Sequence, residues 1–258
     1  MRGVRNVWQG LLKGLSRSER GVIILDEDGE RSYSPQEFVR AAEEMAGGLL
    51  REKVKPGDRV GILAQTTPST VLAFLGCWAA GAVAVPLPLP MRAVDPRSFI
   101  EQNQLRLERV GAKLLLLPGG LMPLVGDLGD EVRMLAVEEI GHGGELPSTT
   151  CSRDDIALVQ FTSGSTSDPR GVVLTNRSIL ANAHAVIRRI NVNPRDRAIS
   201  WMPLYHDMGL IGFVITALSG GATLVLMSPQ RFAAEPSSWL RAISDYRATI
   251  TGGPNFAY

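Results

Sequence analysis

Cysteine is nearly absent from this sequence: Cys77 and Cys151 are the only two, and neither belongs to a C-x-x-C pair. That excludes a disulfide framework and a thiolate-rich metal centre, and it suits a reducing, cytoplasmic compartment. Cys77 sits in the apolar run Phe74-Leu-Gly-Cys-Trp-Ala-Ala80, which predicts a buried thiol. Net charge is nearly absent too, at +1, which argues against an electrostatically driven nucleic-acid binder. The basic stretch Arg188–Arg197 carries no interleaved aromatics and reads as a solvated helix end. No apolar run reaches the ~18 residues of a membrane span, and the first ten residues lack the apolar centre of a signal peptide. His142, His184 and His206 show no H-E-x-x-H pairing, so no metal site is expected.

What is present is a soluble-type composition, 45% hydrophobic and 21% charged, in a chain long enough for one large domain or two small ones. Its most informative stretch is Phe161-Thr-Ser-Gly-Ser-Thr-Ser-Asp-Pro-Arg-Gly171. The run Ile156–Phe161 leads into it like a buried strand. Thr162, Ser163, Ser165, Thr166 and Ser167 then surround Gly164, offering neutral donors where the backbone can approach an anion closely. Arg170, before Gly171, adds a planar cation suited to phosphate. The plainer reading of the same composition is a Ser/Gly-rich surface turn between two strands. Walker A spacing fails, because no Gly-Lys pair follows Gly164. A nucleophile elbow fails as well, because no serine is flanked by glycines at the required distance.

Strand-like and helix-like segments alternate along the chain, which predicts an α/β fold of layered parallel-sheet subdomains joined by crossover helices. Strands are expected at Val22–Leu25, Arg59–Gln65, Ala82–Val85, Lys113–Leu117, Arg133–Val137, Ile156–Phe161, Gly171–Leu174, Ala198–Met202, Ala222–Met227 and Ala248–Thr251. Ser34-Pro-Gln-Glu37 reads as a capping box that opens a helix to about Glu52. Further helices are expected from Pro68 to Ala80, from Asp95-Pro96 through Phe99, Leu105, Leu107 and Val110, from Asn176 to Arg189, from His206 to Ser219 and from Ser237 to Tyr246. The run Pro86–Pro90 is expected to be extended and unable to continue a sheet interior. Val4, Val7, Trp8, Leu11, Leu12 and Leu15 fall at helical spacing; a helix packed on its own domain is preferred over a membrane-surface helix. The domain reading is a helix over 1–20, a first α/β portion over 21–117, an irregular Gly/Pro/Ser-rich connection over 118–153, and a second α/β portion over 154–258 carrying the hydroxyl-rich loop.

Ser200-Trp-Met-Pro-Leu-Tyr-His-Asp-Met-Gly-Leu210 is the second segment with chemistry in it. It places His206 and Asp207 at a strand-to-helix turn, where a histidine is either structural or functional. With the loop at 162–171, it resembles the adenylate-forming superfamily of acyl-CoA synthetases, nonribosomal-peptide adenylation domains and luciferases. The phrases Pro203-Leu-Tyr-His-Asp-Met-Gly-Leu-Ile-Gly212, Gly252-Gly-Pro-Asn-Phe-Ala-Tyr258 and Ser163–Gly171 are most similar to fatty acyl-AMP ligases. Two departures stand in the loop: Arg170 where a lysine is usual, and Ser167-Asp168 where many members have a glycine.

The resemblance implies joining of a fatty acid carboxylate to the α-phosphate of ATP, with Mg²⁺, release of pyrophosphate, and a carrier-protein or polyketide-synthase acceptor. It implies phosphate or nucleotide binding by Thr162, Ser163, Gly164, Ser165, Thr166, Arg170 and Gly171, and catalytic positions at Arg170 and His206. An acyl tunnel is implied at Leu210, Phe213, Gly252 and Gly253. A carboxylate is already ionised at neutral pH, so no general base is required and orientation and charge neutralisation carry the chemistry. The likeness covers the front portion of the family from about Gly21 onward. The adenine, ribose and C-terminal lysine motifs lie further along in that family, so this chain is expected to be an inactive portion of the enzyme. Two further enzyme readings are a fatty acyl-CoA synthetase and a hydrolase using Ser163 or Ser165 with His206. From another class comes a non-enzymatic acyl-chain or partner-binding module.

Overall fold

The computed structural model describes residues 3–89, 96–126, 128, 131–141, 143, 151–162 and 170–258. In chain order the elements are α1 (Val7–Leu15), β1 (Val22–Leu25), β2 (Glu30–Tyr33), α2 (Pro35–Arg51), β3 (Arg59–Leu63), α3 (Pro68–Ala79), β4 (Val83–Leu87), α4 (Pro96–Val110), β5 (Leu114–Leu117), α5 (Met122–Val125), β6 (Arg133–Ala136), β7 (Ile156–Phe161) and β8 (Gly171–Thr175). Then follow α6 (Asn176–Ile190), β9 (Arg197–Ser200), a π-helix (Met208–Ile215), α7 (Thr216–Gly220), β10 (Thr223–Met227), α8 (Pro229–Ala234), α9 (Ser237–Asp245) and β11 (Ile250–Thr251). None of the described helices is long and apolar enough to cross a membrane.

The chain forms two compact units, one of residues 1–41, 66–68 and 177–258 and the other of residues 42–65 and 69–176. The first holds a sheet in the order β11-β9-β10-β1-β2, the second a sheet in the order β6-β5-β3-β4-β7-β8. Each is parallel except for one antiparallel edge, β2 on β1 and β8 on β7. The α/β expectation therefore holds. The contiguous division into 21–117 and 154–258 does not match the sheets: β1 registers with β10 as Val22↔Leu224, and β7 joins the strands of the first half. Hydrophobic runs locate strands but carry no information about which distant strand each will pair with.

In the first unit, Asn6 Oδ1 accepts from Gln9 N at 2.9 Å and caps α1. Val7, Leu11 and Leu15 are buried, and Gly14 packs so tightly that a Cβ would fall 1.8 Å from Leu218 O of α7. The helix is thus part of its own unit, as its apolar spacing required. Ser34 and Glu37 form the expected box: Ser34 Oγ accepts from Glu37 N at 3.2 Å, and Glu37 Oε2 from Ser34 N at 2.9 Å. In the second unit Leu63, Val85, Leu87, Leu107, Leu115 and Val159 form one core, each fully buried leucine contributing about 2 kcal/mol. Trp78 Nε1 donates to Ala157 O at 3.0 Å and ties α3 to β7. Cys77 is buried as expected, and burial pushes its thiol up to about 12. Arg59 donates to the carbonyls of Val110 and Gly111, capping the C-terminus of α4.

Three local expectations change. Pro86 stands inside β4, a central strand, opposite Ile62. Val83 N donates to Asp58 O and Leu87 O accepts from Ala64 N, so odd positions face β3 and Pro86 faces the β7 side. There the ladder registers at Ala84↔Leu158, and the missing N–H of Pro86 ends it rather than interrupting it. The segment after His206 is helical, but its first two turns are π-helix, with Thr216 N and Thr216 Oγ1 both on Ile211 O. The region 118–153 is not structureless: it carries α5 and β6, and it sends Val125, Leu128 and Val132 into the core.

Candidate functional site

In the second unit the hairpin β7–β8 is clamped at its base. Asn176 Nδ2 donates to Ser152 O and Asp155 O, and Asn176 N donates to Asp155 O at 3.0 Å. Asp155 in turn accepts from Ser152 N and Ser152 Oγ. The two strands run in register up to Phe161↔Gly171, and Thr162 N donates to Arg170 O at 3.1 Å as the last rung. Gly171 packs closely there: a Cβ would meet Val159 Cγ1 at 3.1 Å and the Phe161 ring at 3.3 Å. Thr162, Arg170 and Gly171 are exposed, while Ser163, Gly164, Ser165 and Thr166 lie outside the described residues. Arg170, Phe161 and Gly171 also line a cavity of about 1140 Å³ that extends past Val83, Arg109 and Ile156. The same lining carries Arg59, Arg109, Asp154 and Asp155, so Arg170 is one of several charged groups around this space.

In the first unit β9 runs into the turn that carries His206. Ser200 Oγ accepts from Met202 N, and His206 N donates to Pro203 O at 3.1 Å. The π-helix then begins so close to this turn that a Cβ on Gly209 would fall 2.2 Å from Pro203 O. His206 Nδ1 lies 2.7 Å from Asp207 Oδ1, with both side chains about half exposed or more. Asp207 Oδ1 also accepts from Met208 N at 2.7 Å, a shorter contact than the 3.2 Å from Met208 N to His206 Nδ1. The carboxylate oxygen therefore takes the peptide N–H and lies against the Nδ1 edge of the ring. That leaves Nε2 as the ring nitrogen for a ligand. Adjacency in sequence had not established this pairing; the geometry supplies it.

Leu210 is fully buried and Phe213 nearly so. A Cβ on Gly252 would meet Phe213 Cζ at 3.6 Å, and one on Gly253 would meet Trp201 Cζ2 at 3.3 Å. The structure thus brings Phe213 and Gly252 together and sets Gly253 against Trp201. Sequence reasoning passed over Trp201, which organises this wall. It stacks on Phe232 at 3.8 Å, meets Trp239 edge-on, and keeps a buried Nε1 without a hydrogen-bond partner. Its position directly after β9, beside the proline turn, was the available signal. Trp239 Nε1 donates to Thr251 Oγ1 at 3.1 Å and secures β11. Among the described residues no three His, Cys, Asp or Glu side chains stand together as a metal site.

The chain is similar to several known proteins. A protein of Caulobacter vibrioides named as an acyl-CoA synthetase is 37% identical over 220 residues, covering 83% of this chain and 38% of that protein. A long-chain-fatty-acid–AMP ligase of Mycobacterium bovis is 30% identical, over 81% of this chain and 38% of its own length. Among solved structures, fatty acyl-adenylate ligase from L. pneumophila, in complex with acyl adenylate and pyrophosphate, superimposes with a TM-score of 0.87. It is 31% identical, over 99% of this chain and 45% of that one. The chain thus spans less than half the length of these relatives. Residues 16–257 match the family of AMP-binding enzymes, and with the sheets and hairpin described above, the chain belongs to that family.

Proposed function

We propose that this chain contributes the phosphate-binding hairpin and part of the acyl pocket to an ATP-dependent fatty acyl-AMP ligase. The observation that carries the reading is the β7–β8 hairpin: clamped at its base, closed by the Thr162–Arg170 rung, and carrying Arg170 in the lining of a large cavity. Its likeness to a ligase seen with acyl adenylate and pyrophosphate supports the assignment. In this reaction a carboxylate oxygen of the fatty acid attacks the α-phosphorus of ATP. The bond from that phosphorus to the bridging oxygen breaks, and pyrophosphate leaves with the electron pair. No proton moves, so the protein's task is to hold two anions together.

Arg170 and the donors of the hairpin neutralise charge on the departing pyrophosphate. Mg²⁺, if bound with the nucleotide, would supply further neutralisation on its phosphates. His206, with Nδ1 held against Asp207, presents Nε2 to the substrate carboxylate. Leu210, Phe213, Gly252 and Gly253 shape the acyl chain's enclosure, each buried methylene contributing ~0.8 kcal/mol. A carrier-protein thiol is the proposed acceptor of the activated acyl group.

The test combines two measurements on the chain. Isothermal titration should show binding of ATP and pyrophosphate, and mass spectrometry with ATP, Mg²⁺ and acids of about 6 to 18 carbons should show no turnover. Acyl-AMP formation would overturn the inactivity of this portion while supporting the chemistry. Binding of acids but neither ATP nor pyrophosphate would overturn the ligase reading in favour of an acyl-binding module.

A further inference from the structure

Helices α1 and α6 pack side by side in the first unit, and every ionisable residue on them is basic. The contact is close: a Cβ on Gly10 would fall 2.8 Å from Leu180 Cδ2. One turn beyond Gly10 stands Lys13, and one turn beyond Leu180 stands His184. Arg177, His184 and Arg188 are spaced i, i+7, i+11, which sets them in one stripe of α6 beside Leu180 and so along the border with α1. Arg5, just before the Asn6 cap, and Lys13, Arg177 and Arg188 are exposed. Arg17 is held near Lys13, donating to Lys13 O at 3.2 Å and to Ser219 O at 3.1 Å. Both acceptors are neutral carbonyls, so its charge also stays uncompensated.

Nothing acidic offsets this face. No aspartate or glutamate occurs between residues 1 and 18 or between residues 176 and 195. Among the described residues no carboxylate pairs with Lys13 or Arg188. Two cations from different helices act on one imidazole: burial lowers the His184 pKa, and Arg188 and Lys13 lower it further. Protein surfaces ordinarily intersperse both signs, and the chain's net charge is only +1, so the concentration is local. The lack of anchors selects among anionic partners. Ile190, 52% exposed, is the only large apolar side chain exposed on the two helices, whereas a protein interface centres on aromatic or aliphatic anchors. Ala181 and Ala185 stand between the cations of α6 and offer nucleic-acid bases neither hydrogen bonds nor stacking. An anionic bilayer requires only cations spread over one face. The apolar face of α1 is committed to the core, so such docking is electrostatic and needs no insertion.

We propose that the solvent face of α1 and α6 docks on an anionic lipid bilayer, a property independent of the adenylation reading above. The test is co-sedimentation of the chain with phosphatidylcholine vesicles, alone and with about 30% phosphatidylserine. The wild type should pellet only with the anionic vesicles, and raising KCl from about 50 mM to about 500 mM should release it. K13Q should weaken partitioning about fivefold, and K13E/R188E on the order of a hundredfold. Melting temperatures should be unchanged, because both side chains are exposed. If K13E/R188E fails to fold, K13Q/R188Q replaces it. K55E, a charge reversal at an exposed position of the second unit, should retain wild-type partitioning. No pelleting of the wild type, or equal pelleting with both kinds of vesicle, would overturn the proposal. Wild-type partitioning in K13E/R188E, or an equal loss in K55E, would do the same. Binding to polyglutamate or to an RNA duplex but not to vesicles would overturn it in favour of an acidic protein or a nucleic acid.

Discussion

Each unit has one antiparallel edge strand, and the two hairpins that make them are built to different ends. The β1–β2 turn, residues 26–29, closes on itself: Asp26 N donates to Gly29 O, and Asp26 Oδ1 accepts from Asp28 N and Gly29 N. Its edge strand, Glu30-Arg-Ser-Tyr33, is polar and largely exposed, the usual protection of a free edge. The β7–β8 connection, residues 162–170, is far longer than a hairpin requires. It is clamped at its base through Asn176 and Asp155 rather than within its own turn, and its edge strand exposes Val172 and Val173. A hairpin that satisfies its own polar groups is frame. One whose rigid base holds up a hydroxyl-rich span is a device for something else, since long connections in compact domains are commonly functional.

Substitutions can separate frame from device. The largest effect is expected at the hairpin proposed to bind phosphate: Arg170→Met should weaken pyrophosphate binding on the order of a hundredfold, with the melting temperature unchanged, because the side chain is exposed. A smaller effect is expected at the structural one. Asp26→Ala removes two acceptor contacts and should cost about 1 kcal/mol of stability, read by urea titration, without touching pyrophosphate affinity. If Asp26→Ala weakens anion binding, the contrast fails.

The smallest effect concerns how β2 is tied down. Tyr246 OH donates to Glu30 Oε2 at 2.7 Å, and burial, with that bond, pushes the phenol up to about 12 from its ordinary 10.0. The protonated phenol is the form the fold favours, so its contribution is complete below pH 10 and is lost as pH rises toward 12. Tyr246→Phe should cost roughly half a kcal/mol at neutral pH, since the pair is largely exposed. It should also flatten the alkaline decline in stability measured by thermal melts.

Local chemistry made much of this legible in the sequence. Ser34 and Glu37 announced their helix, the run at 156–161 announced a buried strand, and the segment around His206 marked a strand-to-helix turn. What stayed hidden depends on partners distant in sequence. Pro86 looked incompatible with a central strand because the side that needs no N–H is known only once β7 is placed. The π-helix depends on Thr216 reaching Ile211 O, a choice that apolar periodicity does not encode.

The pairing of β1 with β10 has a consequence for synthesis. Val22–Leu25 is an apolar strand whose parallel neighbour, Thr223–Met227, emerges only after every strand from β2 to β9 has been made. At ribosomal rates of about 5–20 residues per second, the earliest strand waits on the order of 10–40 s for its partner. During that interval its only sheet neighbour is the short polar strand β2. The first unit, which holds the earlier strand, is thus completed after the second. The second unit, whose strands lie between residues 59 and 175, can close while the first is still being made. Late closure leaves a hydrophobic edge open to holdase chaperones and to aggregation, and a slower translation rate would lengthen that exposure.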